Sequence, residues 1–148
     1  MARGYPDFFG PTMFPYGGTP VDEQNLAFTV ANLVTEDLVN IVDQGRTNGG
    51  EVFFYGTGDL RYNAFIFVWV DNVVYNFLTI DQLLTYGFHQ NQEAILRLTD
   101  FHVTATTQYA AFRYARDFSF GVSMGISLLN MSGNDIDGTS HLFWARTT

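Results

Sequence analysis

The sequence predicts an all-β protein: an antiparallel β-sandwich, jelly-roll or Greek-key like, with one short helix and an extended N-terminal arm. Three observations predict it. Apolar or alternating runs recur at intervals of about 8–15 residues, with turn-forming residues between them. The stretch Val122-Ser123-Met124-Gly125-Ile126-Ser127-Leu128 alternates with period two, its large side chains on one face and Ser, Gly and Ser on the other. No regular alternation of strands with long helices is present, which argues against a parallel sheet. A chain of 148 residues has the length of one domain and can bury a core without staples. The expected division is an arm over residues 1–20 and a sandwich over 21–148.

Taken in order, Pro20 to Asn25 reads as a polar link and Leu26 to Val30 as a first strand. Glu36 to Asp43 is apolar at Leu38, Val39, Ile41 and Val42; it fits a strand or a short helix, and the flanking β-branched residues favour the strand. Gly45 to Gly50 reads as a turn-rich loop. Glu51 to Tyr55 is a strand closed by Gly56-Thr57-Gly58-Asp59. Ala64 to Val70 is apolar on both faces, so both need cover, by a facing sheet and by the arm or another subunit. Asp71-Asn72 is a turn, and Val73 to Phe77 returns as its partner strand. Thr79 to Tyr86 is the helix: Thr79 and Gln82 have capping-box spacing, and Gly87 supplies a left-handed stop. Ala94 to Asp100, Phe101 to Thr107 and Tyr109 to Phe118 read as further strands. Met131 to Ser140 reads as a polar loop, and His141 to Arg146 as the last strand.

The first eighteen residues hold three of the four prolines, Pro6, Pro11 and Pro15, and the aromatics Tyr5, Phe8, Phe9, Phe14 and Tyr16. Proline fixes φ and removes a backbone donor, so this segment is neither a helix nor a central strand. Large apolar side chains on an extended arm are an aggregation liability unless covered. The arm is therefore expected to lie on its own domain or on a neighbour.

The opening Met-Ala-Arg-Gly-Tyr-Pro-Asp-Phe-Phe-Gly resembles the start of small virion proteins of tailed bacteriophages, in which such an opening precedes an all-β domain. Thr79 to Gly87 is similar to a mid-domain segment of such chains, and the alternating tail from Phe118 to Asn130 and from His141 to Arg146 has their look. The resemblance implies a structural role in a virion, favours a trimeric assembly and carries over no catalytic residues.

Composition narrows the function. Apolar residues make up 47% and aromatics 17%, which argues against disorder. The longest apolar run, Ala64 to Val70, is too short for a transmembrane helix. The N-terminus lacks the pattern of a signal peptide, and Met-Ala does not suggest myristoylation. Cysteine is absent, so disulfides and thiolate metal sites are excluded. Lysine is absent too, and the net charge is −8. Scattered arginines on an acidic chain leave no footprint for a phosphate backbone, so neither nucleic acid nor membrane is an expected partner.

Candidate chemistry is sparse. Gly121-Val122-Ser123-Met124-Gly125 matches the nucleophile elbow of hydrolases, with Asp135, Asp137 and His141 following in hydrolase order. The elbow needs a strand, a sharp turn at the serine and then a helix. The alternation running through Ser123 predicts a plain strand instead. Asn134-Asp135-Ile136-Asp137-Gly138 has the look of a calcium loop. Counting back from Gly138, however, the first and twelfth ligand positions fall on Gly133 and Trp144, which fail as ligands. His89, His102 and His141 lack metal-ligand spacing, although Asp100 and His102 share one side of a strand. Tyr109, Phe112 and Tyr114, interleaved with Arg113 and Arg116, have the composition of an interface or a sugar-binding face, or of a core strand with an arginine-bearing outer side.

The expectation is a non-enzymatic virion protein without cofactor or metal, most simply a capsid decoration or cement protein. Its partners would be the major capsid protein or other virion subunits, and further copies of itself, with a trimer favoured. The assembly residues would be Tyr5, Pro6, Phe8, Phe9, Phe14, Tyr16, Tyr109, Phe112, Arg113 and Tyr114. The alternative is a tail or head-fibre module recognising host glycans, and a small serine hydrolase is a distant third.

Overall fold

A computed structural model describes residues 19–86, 95–114 and 117–147. Among them ten strands and two short helices follow one another: β1 (Thr19–Val30), β2 (Thr35–Ile41), β3 (Gly45–Gly56), α1 (Leu60–Asn63), β4 (Ala64–Val70), β5 (Val73–Thr79), α2 (Ile80–Thr85), β6 (Leu96–Val103), β7 (Gln108–Tyr114), β8 (Ser119–Phe120), β9 (Met124–Asn130) and β10 (Ile136–Arg146). They form two antiparallel sheets. Sheet A has the order β1-β10-β3-β7-β6, with β8 on β3, and sheet B the order β2-β9-β4-β5.

The pairing is nested. β1 pairs with β10, β2 with β9, β3 with β7 and β4 with β5. The chain therefore behaves as one long hairpin rolled over itself, which is the jelly-roll solution among the two expected. Between the sheets Phe54, Phe112, Ile136 and Leu142 of sheet A meet Leu38, Ile126, Leu128, Ile66 and Val68 of sheet B, all essentially without solvent contact.

The helix expected at Thr79 to Tyr86 is α2. Thr79 Oγ1 accepts from the Gln82 backbone N–H at 3.1 Å, and Gln82 Oε1 accepts from the Thr79 N–H at 3.0 Å, closing the capping box. Ile80 and Leu83 plug the core. A second helix, α1, was not anticipated; Arg61 on it donates to Asp81 of α2 at 2.9 Å.

Three expected loops are strand. Pro20 to Asn25 belongs to β1, whose place at the sheet edge tolerates a proline and polar residues. Gly45 to Gly50 opens β3. A Cβ at Gly45 would meet the Ala145 carbonyl oxygen and the rings of Phe120 and Trp144, and one at Gly50 the His141 carbonyl oxygen and the ring of Tyr114, so backbone and aromatic rings of neighbouring strands occupy the space. Gly49, with φ of 95°, sits in the bulge opposite Leu142 to Trp144. The polar loop ends at Asp135, and β10 begins at Ile136 rather than at His141. Two further boundaries move. The strands expected on either side of Asp100 are a single β6, followed by a turn in which the Thr104 N–H donates to the Thr107 carbonyl. β9 begins at Met124, and Val122, 58% exposed, lies in a bend before it, so the alternation does not pass through Ser123.

The arm, with Tyr5, Pro6, Phe8, Phe9, Phe14 and Tyr16, lies outside the described residues, as do Gly87, His89 and Arg116. Thr19 and Pro20, at the expected end of the arm, already pair with Arg146 and Ala145 of β10.

Candidate functional site

The two outer faces of the sandwich differ in chemistry. On sheet A the central strand β10 turns Asp137, Thr139 and His141 outward, opposite Tyr55, Phe53 and Glu51 of β3. The next strand, β7, places Tyr109, Ala111 and Arg113 outward in register with those three residues. On β6, His102 lies opposite Tyr109. A ladder of rings results. His102 and Tyr109 stack at 4.7 Å, Tyr109 and Tyr55 at 5.9 Å, and Phe53 lies 5.9 Å from Tyr55. His102 Nδ1 is 2.7 Å from the Asp100 carboxylate, which bears out the sequence pairing of these two residues.

Phe53 and Tyr55 remain 38% and 39% exposed. Beside them, over β10 and β1, lies a hollow of about 450 Å³ with Ala27, Gly138 and Thr139 in its lining and Thr29 and Asp137 at its polar positions. The Thr29 hydroxyl donates to Asp137 Oδ1 at 2.6 Å. A second hollow of about 350 Å³, lined by Glu51, Thr99, Ala111, Arg113 and His141, adjoins the first at Phe53 and Thr139. A third of about 490 Å³ shares Tyr55 and Asp137 with the first and continues to Asn32, Thr107 and Asn134. The three hollows form one shallow groove along β10.

Sheet B presents the opposite character. Ala64, Ile66 and Val68 of β4 point inward, and Phe65, Phe67 and Trp69 point outward. Phe77 of β5 stacks on Phe65 at 5.4 Å and packs at a tilt against Phe67 at 4.9 Å, yet stays 48% exposed. Val74, opposite Trp69, is 54% exposed. Trp69 lies across Gly125 and donates to Ser127 Oγ at 3.0 Å, and the Ser127 hydroxyl donates to Asp37 at 2.7 Å. β5 is an edge strand, and among the described residues nothing pairs with its outer side.

The other sequence candidates do not assemble into a catalytic site. Ser123 precedes a strand rather than a helix, at the entrance to sheet B, whereas Asp137 and His141 lie on the outer face of sheet A. Its hydroxyl is buried without a hydrogen-bond partner. The loop around it is held from outside. Asp71, in a two-residue hairpin turn with φ of 50° followed by Asn72 at 67°, accepts from the N–H groups of Gly121, Val122 and Ser123 at 3.0, 2.7 and 3.1 Å. These amides, led by that of Gly121, hold the Asp71 carboxyl below the usual carboxylate range. Asp137 and Gly138, read as part of a calcium loop, are strand residues, and no group of three or more potential metal ligands occurs among the described residues.

The cluster of aromatics and arginine on β7 divides between two sides. Tyr109 and Arg113 face outward, Arg113 with a guanidinium nitrogen 3.7 Å from Glu51. Phe112 and Tyr114, expected at an interface, are core residues whose side chains no partner reaches. Burial pushes the Tyr114 hydroxyl far up, so it stays a neutral phenol. Sequence reasoning did not single out Phe53 and Tyr55. Their signal was present: Val52 to Tyr55 is apolar at consecutive positions, as Ala64 to Val70 is. Comparison of the chain with protein-family models and with curated proteins finds no match.

Proposed function

We propose that this chain is a non-enzymatic structural protein of a phage virion, a decoration or cement protein. In this reading it assembles through the outer face of sheet B and the N-terminal arm. The observation that carries the reading is the apolar outer face of sheet B, with Phe77 and Val74 half exposed beside an edge strand that no described residue pairs on its outer side. A long apolar edge is a template for pairing with another chain, and soluble monomers seldom leave one open. Burying the remaining half of Phe77 contributes about 1 kcal/mol, and its neighbours on β4 and β5 add to it. Viral capsid domains are among the proteins built as jelly rolls. The fold thus admits the reading, and the face and the resemblance of the opening residues support it.

The occupant of this face is a second copy of the chain, in a cyclic oligomer that binds the major capsid protein or other virion subunits. The resemblance favours a trimer, in which β5 meets a different surface of the next copy; a dimer would pair β5 with itself. The test is the native mass of the full chain across a concentration series, beside Phe77→Asp. The expected result is an oligomer that Phe77→Asp converts to folded monomers, which no longer incorporate into particles. A wild-type chain that stays monomeric at high concentration, or a Phe77→Asp variant that assembles and incorporates normally, would overturn the reading.

A further inference from the structure

We propose that the groove on the outer face of sheet A is a binding site for a neutral oligosaccharide. The inference is independent of the assembly reading, because the groove lies on the opposite side of the sandwich from β4 and β5.

The groove follows β10 from His141 through Thr139 and Asp137 to Asp135. The six residue-to-residue steps along this stretch span about 20 Å. That length suits several linked sugar rings rather than one. Along it stand the rings of Phe53 and Tyr55, backed from the β7 side by Tyr109 at 6.3 and 5.9 Å. Their other side borders the hollow over Ala27, Gly138 and Thr139, whose lining also includes the half-buried Phe28. Flat, fixed rings beside an open floor match the apolar C–H face of a pyranose.

The remaining lining is polar and short. Asp137, already oriented by the Thr29 hydroxyl at 2.6 Å, keeps a second carboxylate oxygen for a sugar hydroxyl. Thr139 on the sheet and Asn134 in the bend before β10 offer further donors and acceptors, and the Thr99 hydroxyl, which donates to the Ala111 carbonyl, keeps lone pairs to accept. A few placed polar groups among aromatic rings are the ordinary composition of a small-molecule site. The charge selects among sugars. Asp135, Asp137 and Glu51 line the groove, and Arg113, its only arginine among the described residues, faces Glu51. An anionic chain, whether a sialylated or sulfated glycan or a nucleic acid, would meet repulsion along most of this length.

Saturation-transfer NMR on the intact chain tests the site, with maltotetraose, cellotetraose, a mannotetraose and N-acetylchitotetraose as probes. A sulfated oligosaccharide and an extended aromatic peptide serve as contrasts. At least one neutral probe is expected to bind at millimolar concentration, with saturation strongest on its ring C–H protons. Phe53→Ala and Tyr55→Ala should each weaken that binding about ten-fold. Asp137→Asn should weaken it too, and Tyr55→Phe should retain most of it. All variants should keep the wild-type thermal midpoint within a few degrees, and Phe77→Asp should bind as wild type does. Absence of binding by every neutral probe would overturn the proposal. So would binding unchanged in both alanine variants, or preference for the sulfated glycan or for the peptide.

Discussion

Replacing Gly125 by alanine separates the packing account of the Gly121-to-Gly125 motif from a catalytic one. A Cβ at Gly125 would fall within the Trp69 ring and 2.5 Å from the Val39 carbonyl oxygen. The ring can swing away, but the β2 backbone cannot withdraw without disturbing its pairing with β9. Overpacking of this kind costs about 1–3 kcal/mol. Moving Trp69 also breaks its 3.0 Å bond to Ser127, which is worth about 1 kcal/mol. Together these give a destabilisation of about 2–4 kcal/mol, or roughly 5–15 °C in thermal midpoint for a chain of this size. Gly121 is the internal control. A Cβ there meets only an Asp71 carboxylate oxygen at 3.6 Å, an ordinary contact, so Gly121→Ala should fall within about 0.5 kcal/mol of wild type. The assay is urea unfolding followed by circular dichroism and tryptophan fluorescence, at one protein concentration because association would couple to stability. A Gly125→Ala variant as stable as wild type, or equal losses in both variants, would refute the packing argument.

Two further outcomes follow from the loop that Asp71 holds. Because its carboxyl lies below the usual range in the folded chain, its contribution is complete above the unfolded value and is lost as pH falls through the folded one. The thermal midpoint of wild type should therefore drop more steeply than that of Asp71→Asn between about pH 5 and pH 2, and parallel curves would remove Asp71 from the account. Ser123→Ala discards a buried hydroxyl without a partner, so it should be neutral or slightly stabilising, and a serine-directed covalent probe should leave wild type unlabelled. Specific labelling at Ser123, with esterase activity lost in the alanine variant, would reinstate the hydrolase.

The sheets were legible in the sequence wherever local chemistry and tertiary role agree. The α2 capping box and the Asp71-Asn72 turn are local devices, and both appear where the spacing placed them. The strand over Ala64 to Val70 was readable from its apolar run, and the same run signalled an outer face in need of cover. The misplaced boundaries have a common cause. Gly45, Gly50 and Gly138 read as turn residues, yet each lies in a strand where a neighbouring ring takes the place of its side chain: Trp144 and Phe120, Tyr114, and Phe28. That substitution is a property of the fold and leaves no mark on the residues beside the glycine. Phe112 and Tyr114 were assigned to an interface for a related reason. Composition distinguishes an aromatic strand from a polar one, but only the register against β3 and β6 decides which of its aromatics turn inward.

The two faces also bear on each other. A sandwich has two outer surfaces, and they differ by strand: described outward positions on β4 and β5 are aromatic or aliphatic, and those along the groove on β10 are aspartate, threonine and histidine, with Phe143 beyond them 42% exposed. Closure of an oligomer through sheet B would bury the surface least suited to water and leave the sheet A groove of every copy open. A groove this shallow holds a single sugar chain weakly, since most of the ligand stays in solvent. Several copies fixed in one assembly present several such grooves at once, and the second contact with a glycan-coated surface then forms at high effective concentration. Weak recognition by each copy and assembly through the opposite face are thus complementary. In this reading the apolar face would set how many grooves act together, and the polar face what they would hold.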